Sequence, residues 1–475
     1  MIVLKFGGTS VKNQAAIERL IEIVRPAAPR AVVVVSALAG VTDRLLGIAT
    51  ATAAGQADEA MSSVAALRAR HHGVAERLHR PAFAPGPVAG AEAAASISTP
   101  YIATPLAQEI DREFDALAET VLALVTLREN SPRWADAIAA TGELVSSRIV
   151  AAALTAHGVP AAWVDARRVI VTDDEFSSAS PQMAETMAAT RVVCGPLLDA
   201  GVVPVIGGFV GATARGITST LGRGGSDFTG AIVGAALDAS EIQIWTDVDG
   251  MLTADPRLID DPQVVTHLSF AEASELAHFG AKVLHPATIQ PAVAREIPVR
   301  ILNSNNPSAP GTLITANAQV PGSASGVTAI ASKTGITVVD VTSTRMVMAH
   351  GFLRRLFEVF ERHRTAVDVV TTSEASVSVT VDDCRRLPLI MAELSAFADV
   401  SSEGDMAIIC AVGDQLPSNA AAAGEILSAL RGVPLRMVSQ AASRRNVTIV
   451  LRATDLRAAL SRLHDRFVIA GSSVS

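Results

Sequence analysis

The chain has 475 residues, of which 49% are hydrophobic and 4% aromatic, and its 39 basic and 47 acidic side chains give a net charge of −8. This length allows about two to four domains, each with its own apolar core. With no basic run and few aromatic residues, the sequence argues against nucleic-acid binding, and it has no long uncharged apolar run to span a membrane. We expect small molecules or other protein chains as partners.

The three cysteines are Cys194, Cys384 and Cys410, which lie far apart and show no CxxC spacing. This pattern argues against a disulfide framework or a zinc site, and we predict no protein-bound metal. The opening MIVLKF lacks the basic region and the long apolar region of a signal peptide. We therefore predict a protein of the reducing cytoplasm.

Short β-branched runs alternate with helical stretches along the first part of the chain. The run IVLKF at 2–6 precedes a stretch with apolar residues at i, i+3, i+4 and i+7 from Ile17, and AVVVV follows at 31–35. Later runs, VVPVI at 202–206 and, apart from Arg300, IPVRIL at 297–302, are continuously apolar, as in parallel strands covered by helices on both faces. The sequence thus predicts an α/β fold with three layers, αβα, around a mainly parallel sheet, in which ligands bind where strands end.

The C-terminal third has a different pattern, and TANAQVPGSASG at 315–326 has the small polar residues of a linker before it. Beyond it, the order strand, helix, strand, strand, helix occurs twice, which predicts two ferredoxin-like βαββαβ modules. The predicted divisions are a first domain at 1–314, a linker at 315–326 and a region at 327–475 with modules at approximately 335–400 and 401–475, the second completed by a strand near 327–332.

A glycine-rich segment, TLGRGGSD at 220–227, carries the first sign of chemistry. It places Arg223, Ser226 and Asp227 among three glycines at the head of a predicted helix, where free N–H groups favour a phosphate or carboxylate. Arginine adds bidentate carboxylate recognition, and aspartate suits an amine or a hydrated Mg²⁺. Because the chain has neither GxxxxGK[ST] nor GxGxxG after its first strand, a different phosphate-binding fold is required.

Four further motifs accompany this segment, namely KFGGTSV at 5–11, TGE at 141–143, WTDVDGMLTADPR at 245–257 and FGAKVLHPATIQPA at 279–292. With the C-terminal repeats, they make essentially the whole chain resemble the aspartokinases of the amino acid kinase family. The resemblance implies the amino acid kinase fold followed by two ACT modules. It also implies ATP-dependent phosphorylation of the side-chain carboxylate of L-aspartate, the entry step toward lysine, methionine and threonine, with Mg²⁺ carried on the ATP.

The resemblance also implies the residues that perform the reaction. Lys5 matches the lysine that reaches the transferred phosphoryl group, and Asp227 is the second catalytic position. The positions that match the binding of aspartate are Thr42, Glu143, Arg223 and Ser226. Glu143 suits the substrate ammonium group and Arg223 a substrate carboxylate. From the residues alone, Glu143 has an alternative interpretation as an N-terminal capping residue of a helix, since Thr141 precedes it.

The implied nucleotide-binding positions are Lys5, Gly7, Gly8, Thr9, Ser10, Thr246, Asp247, Leu252, Arg257, Lys282 and Val283. Thr9 and Ser10 have an alternative role as caps of a helix that starts near Lys12. Leu252 departs from relatives that carry tyrosine there. The DVDG run lacks the further acidic ligands of a calcium loop, and His285 before proline is interpreted as structural.

In the family, the paired ACT modules dimerise and bind an end-product amino acid at their interface. We expect lysine as the effector, with threonine as the alternative. The matching positions are Met346, Ala349, Gly351, Phe352, Leu353, Val367, Asp368, Thr372, Ser373 and Glu374. Asp368 suits an ammonium group, and Gly351 leaves backbone groups free for a carboxylate. Met348 and Ala349 replace the histidine and serine expected in lysine-sensitive members, and a purely dimerising role for the modules stays open.

Two other functions remain alternatives at this stage. One is a kinase for a different amino acid such as glutamate. The ACT repeats and the motif from Lys5 to Ser10 argue against it, because together they suit aspartate better. The other is a catalytically silent amino acid sensor that uses the ACT pair alone. The charges at Lys5, Arg223 and Asp227 argue against a silent protein, because an empty site has no need for them.

Overall fold

The computed structural model describes residues 1–78, 103–129, 131–280, 284, 286–317, 326–343, 350–414, 416, 419, 421–440 and 445–469. The chain divides into two compact units, one of Met1–Gly250 with Leu284–Ala316 and one of Met251–Val283 with Asn317–Ser475. Short 3-10 helices occur at Gly8–Val11, Arg25–Ala27, Ala166–Arg168, Pro286–Ile289 and Ala453–Asp455, and a π-helical turn at Asp465–Ile469.

The segment 251–283 groups with the second unit, whereas the sequence predicts a continuous first domain at 1–314. Its hydrogen bonds within the second unit explain this grouping. The Glu272 carboxylate accepts from Thr328 Oγ1 at 2.6 Å and from the Asp414 backbone N–H at 3.0 Å. Contacts between residues so distant in sequence leave no local pattern by which the sequence could reveal them.

The first unit is built on a mainly parallel sheet. Its strands are β1 (Ile2–Phe6), β2 (Ala31–Val35), β3 (Ala161–Val164), β5 (Val203–Gly207), β8 (Glu241–Thr246), β10 (Val299–Asn303) and β11 (Thr312–Thr315). They lie in the order β3-β5-β2-β1-β8-β10-β11, in which all pairs are parallel except the last. A second sheet has β4 (Val171–Thr172), β6 (Val210–Thr213) and β7 (Thr218–Thr220), with β6 in the middle.

Helices cover both faces of the larger sheet. On one face pack α1 (Gln14–Val24), α2 (Val41–Ala53), α3 (Ala57–Leu78), α4 (Ala103–Leu127) and α5 (Pro132–Ala156). On the other lie α6 (Met183–Asp199) and α7 (Gly225–Ala236), with α9 (Gln290–Val293) against α7. This arrangement confirms the predicted three-layer αβα fold.

Neighbouring side chains of the central strand β1 face opposite layers of the fold. Leu4 and Phe6 are buried in the apolar core shared with α1 to α5. Between them, Lys5 points to the opposite face, because successive side chains of a strand alternate. There Gly230 of α7 leaves room, since a Cβ at this glycine would lie 3.3 Å from Lys5 Cβ.

Helix α5 is the one described helix that is long and apolar enough to cross a membrane, by length and composition. It has 25 residues, and 83% of its most apolar window is buried inside the protein. Its apolar residues pack in the core of the first unit with α1 to α4. Its hydrophobicity is therefore that of a central helix in an α/β core.

The second unit contains an antiparallel sheet of six strands. The strands of the unit are β9 (His267–Ser269), β12 (Ala329–Thr342), β13 (Val370–Thr372), β14 (Ser376–Val381), β15 (Asp399–Val412), β16 (Leu435–Gln440) and β17 (Asn446–Arg452). Its helices are α8 (Phe270–His278), α10 (Phe352–Arg362), α11 (Leu387–Leu394), α12 (Ala422–Ala429) and α13 (Leu456–His464). The sheet order is β13-β14-β12-β15-β17-β16.

Two ferredoxin-like modules share this sheet, as the sequence predicts. The long strands β12 and β15 run through both modules, and their pairing shifts register between Thr334 and Val338. One apolar core packs α10 and α11 against the sheet, and another packs α12 and α13. In the second module, the first half of β12 pairs with the end of β15, from Ala329 opposite Val412 to Thr334 opposite Ala407.

Gly234→Ala is expected to destabilise the first unit, because a Cβ there would lie 2.6 Å from Ile242 Cδ1 and 2.7 Å from Ile242 Cγ1. Overpacking of this kind costs about 1 to 3 kcal/mol. Gly47→Ala is the matched control, since Gly47 is an exposed helical glycine with nothing within 4 Å of its Cβ position. That variant should gain roughly 0.5 to 1 kcal/mol. Urea unfolding midpoints measure both changes, and an unchanged midpoint for Gly234→Ala would contradict the packing.

Candidate active site

The carboxyl ends of four parallel strands meet at one edge of the sheet in the first unit. The register places Phe6 of β1 opposite Val35 of β2 and Trp245 of β8, and Val35 opposite Gly207 of β5. Ligands of open α/β sheets bind beyond this edge. The segments that follow these strands contain most of the residues that the sequence marks for chemistry.

Lys5 and Asp227 form an ion pair at this edge, with Nζ and Oδ1 2.6 Å apart. The two side chains are 9% and 15% exposed, so the pair is largely withdrawn from solvent. Asp227 lies in the first turn of α7, where helix N–H groups and the helix dipole favour negative charge. The pair therefore holds a lysine ammonium group beside a helix N-terminus, a position suited to an anion such as phosphate.

The turn after β1 is tightly packed. A Cβ on Gly8 would lie 3.1 Å from the Ala37 carbonyl oxygen, so glycine allows this approach. The Ser10 hydroxyl is buried and hydrogen-bonds the Trp245 carbonyl oxygen at 3.2 Å and Ser304 Oγ at 2.8 Å. Ser10 thus contributes to the packing of the turn in this structure.

The residue that caps α1 is neither Thr9 nor Ser10, for which the sequence left a capping role open. Asn13 caps the helix, and its side chain accepts a hydrogen bond from the Ala16 backbone N–H at 3.0 Å. A capping role for Thr9 or Ser10 at this helix is therefore wrong. Asparagine is among the preferred N-cap residues, so it competes well for this position.

Glu143 lies in the interior of α5, eleven residues after the helix begins at Pro132. The alternative interpretation as an N-terminal capping residue is therefore wrong. Its side chain is buried, and among the described residues no donor hydrogen-bonds Oε2. Burial raises the pKa of this carboxyl to about 8, although hydrogen bonding from the Ala37 backbone opposes the shift. A buried acid with an unsatisfied oxygen is suited to receive a charged donor from a ligand.

The loop before α7 adopts a conformation that requires glycine. Gly222 and Gly224 both have φ of 72°, in the left-handed region. Nearby, a Cβ on Gly208 would lie 2.7 Å from Ser226 Cβ and 2.9 Å from Ser226 Oγ. The glycines thus bring the loop against the end of β5 and place Arg223 and Ser226 at the sheet edge.

A cleft of about 680 Å³ unites these features in the first unit. A larger groove of about 930 Å³ runs beside α1, but its lining includes none of the predicted site residues. The predicted residues that line the smaller cleft are Lys5, Gly8, Thr42, Glu143, Arg223, Ser226 and Asp227. The cleft thus brings both predicted catalytic residues together with all four predicted aspartate-binding residues.

The cleft also contains residues that the sequence analysis missed. These are mainly Ser36, Leu38, Asp43, Asp136, Ser177, Phe209 and Thr220. Asp136 had a usable signal, because it precedes Glu143 by seven residues, or two helical turns, and so shares its face of α5. Phe209 had none, since its φ of 67° and its position against Gly225 depend on the tertiary structure.

The predicted nucleotide-binding residues are divided between the two units. Thr246 ends β8 in the first unit, and its hydroxyl donates to Asp247 Oδ1 at 3.2 Å. In the second unit, the Arg257 guanidinium donates to the Asp255 carboxylate, from Nε to Oδ1 at 3.0 Å and to Oδ2 at 3.2 Å, and from Nη2 to Oδ2 at 2.6 Å. This pairing raises the pKa of Arg257. Leu252 also lies in the second unit, while Lys282, Val283 and His285 lie outside the described residues.

Several predicted effector positions lie in the first ferredoxin-like module. Gly351 is the N-cap of α10 with φ of 84°, a left-handed conformation that favours glycine at this position. Phe352 and Val367 share an apolar cluster, and Leu353 is exposed. Thr372 ends β13, and Ser373 and Glu374 follow it in the turn to β14. Met346, Met348 and Ala349 lie outside the described residues.

Asp368 carries an ion pair of its own. Lys333 Nζ lies 2.8 Å from Asp368 Oδ2 and 2.8 Å from Asp382 Oδ2, and His278 Nε2 lies 3.8 Å from Asp368 Oδ1. The Asp368 side chain is only 7% exposed, so this carboxylate is buried and already paired with an ammonium group. The sequence predicted an ammonium partner for Asp368 but not that the chain itself supplies one.

Comparisons with known proteins agree with the fold of both units. The amino acid kinase family matches residues 1–303 and an ACT domain matches residues 409–467. Lysine-sensitive aspartokinase 3 of Escherichia coli is 34% identical over 472 residues, which cover 98% of each chain. The chain therefore belongs to the amino acid kinase family and, within it, to the aspartokinases.

Two solved structures of the E. coli enzyme support this assignment. Aspartokinase III in complex with aspartate and ADP, in the R-state, has a TM-score of 0.79 and 32% identity, covering 98% of this chain and 99% of that one. The complex of the same enzyme with lysine and aspartate, in the T-state, also has a TM-score of 0.79, with 33% identity and the same coverage. The similarity thus extends over both units.

Proposed function

We propose that this chain transfers the γ-phosphoryl group of ATP to the side-chain carboxylate of L-aspartate and releases 4-phospho-L-aspartate and ADP. The observation that carries the proposal is the cleft of the first unit. It contains the Lys5–Asp227 pair beside a helix N-terminus, the buried acid Glu143, whose Oε2 has no donor among the described residues, and the guanidinium of Arg223. The complex of the E. coli relative with aspartate and ADP supports the same reaction.

The charges of the cleft complement those of aspartate. Glu143 takes the substrate ammonium group, because its free oxygen is buried and has no donor among the described residues. Arg223 takes the α-carboxylate through its planar pair of donors, with Thr42 and Ser226 as neighbouring hydroxyls. The remaining carboxylate of the substrate is then free to react. It is ionised at neutral pH and needs no general base.

Lys5 supports the transfer itself. One oxygen of the substrate carboxylate forms a bond to the γ-phosphorus while the bond from that phosphorus to the β,γ-bridging oxygen breaks, and ADP leaves. Catalysis of this reaction relies on positioning and on neutralising charge on the phosphoryl oxygens. The Lys5 ammonium group, held by Asp227 at 2.6 Å, is placed to supply that charge.

Mg²⁺ enters as part of the ATP complex in this proposal. Among the described residues, no group of three or more His, Cys, Asp or Glu side chains could hold a metal ion. Mg²⁺ usually takes most of its ligands from phosphate oxygens and water, with one or two carboxylates from the protein. Asp227 is the carboxylate of the cleft that fits this role, because it lies beside Lys5 at the head of α7.

The other proposed assignments follow from the family. Gly7, Gly8, Thr9, Ser10, Thr246, Asp247, Leu252, Arg257, Lys282 and Val283 remain the proposed nucleotide contacts. We place the enzyme in the cytoplasm as a homodimer or larger homo-oligomer formed through the ACT modules. Lysine is the proposed effector, which the lysine complex of the E. coli relative supports.

The purified chain is expected to release ADP from MgATP in the presence of L-aspartate, and far more slowly with L-glutamate. A coupled ADP-release assay measures both rates. Lys5→Ala should lower kcat by about 100-fold or more, with a smaller change in the KM for aspartate, because the lysine charge acts mainly in the transition state.

Lys12→Ala is the matched control for this experiment, since Lys12 is exposed and outside the residues that line the cleft. It should retain the turnover of the original chain. No turnover with any amino acid would reject the kinase proposal. A normal kcat in Lys5→Ala would reject only the role of Lys5.

The KM for aspartate should fall as pH rises from 6 toward 8 and then level off. Glu143 has a pKa of about 8 in the ligand-free protein, so the acid is protonated below this pH and pairs poorly with an ammonium group. Where one ionisation controls binding, KM changes by about tenfold per pH unit below the pKa. In Glu143→Gln the KM should be high and independent of pH. An equal pH slope in this variant would assign the titration to another group.

Regulation by lysine depends on the pair formed by Lys333 and Asp368. A lysine effector that presents its ammonium group to Asp368 must replace Lys333 Nζ, which lies 2.8 Å from that carboxylate. Replacing an internal partner costs part of the binding free energy, because Lys333 must be resolvated or rely on Asp382 alone. We therefore propose that this chain is less sensitive to lysine than it would be without Lys333.

Lys333→Met should lower the lysine concentration that gives half-maximal inhibition, by roughly tenfold, because the Asp368 carboxylate becomes free for the effector. Lys333→Arg is the control that keeps the positive charge, and it should not gain sensitivity. Inhibition curves at fixed aspartate and ATP measure the change. Equal curves for the original chain and Lys333→Met would show that Lys333 does not compete with lysine.

A further inference from the structure

Helix α5 presents two buried carboxylates to the cleft, and they differ in their partners. Glu143 Oε2 has no hydrogen-bond donor among the described residues. Asp136, two turns earlier on the same face, is 2% exposed and accepts three hydrogen bonds. The first carboxylate is therefore open to a ligand, whereas the second is already occupied by the protein.

The three donors to Asp136 come from two separate segments. Oδ2 accepts from the Ser177 backbone N–H at 2.8 Å and from the Thr220 backbone N–H at 2.9 Å. Oδ1 accepts from Thr220 Oγ1 at 2.7 Å. Burial raises the pKa of Asp136, and these hydrogen bonds oppose that shift by stabilising the ionised form. One carboxylate thus joins α5, the end of β7 and the loop around Ser177.

The joined segments support the loop that carries Arg223. Ser177 has φ of 72°, a left-handed conformation that costs a non-glycine residue about 1 to 3 kcal/mol and needs support from its surroundings. The Ser177 carbonyl oxygen would lie 3.2 Å from a Cβ on Gly222, directly before Arg223. Thr220, at the end of β7, is three residues before Arg223.

We propose that Asp136 is a positioning residue that fixes the Arg223 loop so that the guanidinium meets the α-carboxylate of the substrate. Asp136 does not contact the substrate in this role, and its own oxygens stay with Ser177 and Thr220. The inference rests on the proposed function, because it assumes that Arg223 binds aspartate. It adds a residue that neither the motifs nor the resemblance assign.

Asp136→Asn tests the role with the smallest change of shape. An asparagine offers one acceptor oxygen, and when this oxygen takes the place of Oδ2 the amide N–H₂ group faces Thr220 Oγ1, which must then accept rather than donate. The backbone hydrogen bonds to a charged carboxylate become weaker bonds to a neutral amide. We expect the KM for aspartate to rise about tenfold or more, while the KM for ATP changes less than about twofold. Loss of substrate binding with little loss of kcat is typical of an interaction present in ground and transition states alike.

Thr220 provides a graded series in case Asp136→Asn folds poorly. Thr220→Val removes the hydroxyl but keeps both backbone hydrogen bonds, so the KM for aspartate should rise by a smaller factor. Thr220→Ser keeps the hydroxyl and should restore the original KM. If these residues had a purely structural role, the KM values for aspartate and ATP would rise together in each variant, in step with its loss of thermal stability. Thermal unfolding midpoints are therefore measured in parallel.

The outcomes separate this inference from the proposed function. If the original chain shows no turnover with aspartate, both are rejected. If it is active and Asp136→Asn has an unchanged KM for aspartate, or an equal rise in the KM for ATP, the positioning role is wrong and the proposed function stands. A selective rise in the KM for aspartate, reproduced in Thr220→Val and absent in Thr220→Ser, supports the inference.

Discussion

The ion pair between Lys5 and Asp227 is the interaction on which the arrangement of the first unit depends. Lys5 lies in the central strand of a buried parallel sheet, where an unpaired ammonium group would be costly. Gly230 removes the side chain that would block its path along α7, and Asp227 meets it at the first turn of that helix. The position of α7 on the sheet is thus tied to the charge that we propose for phosphoryl transfer.

The site becomes complete because the helix layers on both faces of the sheet contribute at the same edge. Helix α7 supplies Asp227 on one side, and α5 supplies Glu143 on the other. Small residues allow this convergence: a Cβ on Gly207 would lie 2.9 Å from the Glu143 carbonyl oxygen, and one on Gly142 would lie 2.8 Å from Ala37 Cβ. The cleft therefore depends on glycines at the contacts as much as on its charged groups.

The sequence predicted the layers, the ferredoxin-like modules and the residues that meet in the cleft, because these features have local signals in apolar runs, repeated order and motifs. It could not predict partners that are distant in sequence. Asp136 binds Thr220, 84 positions away, and Lys333 binds Asp368, 35 positions away. Nothing near either residue indicates the other. The interior position of Glu143, by contrast, had a signal that was missed, since Ser131 followed by Pro132 is a typical helix start and places Glu143 about three turns into α5.

Each unit contains a largely buried carboxylate paired with a lysine of its own, and the consequences for ligands are opposite. At Asp227, the phosphoryl group of the proposed reaction adds negative charge beside Lys5, so the ammonium group attracts that ligand while it keeps its partner. At Asp368, the proposed lysine effector has the same charge as Lys333 and would compete with it for one carboxylate. A pair of this kind thus favours an anion at the proposed active site and opposes a cation at the proposed effector site. Under this proposal, effector sensitivity depends on Lys333, which the protein itself supplies, as well as on the residues that contact the effector.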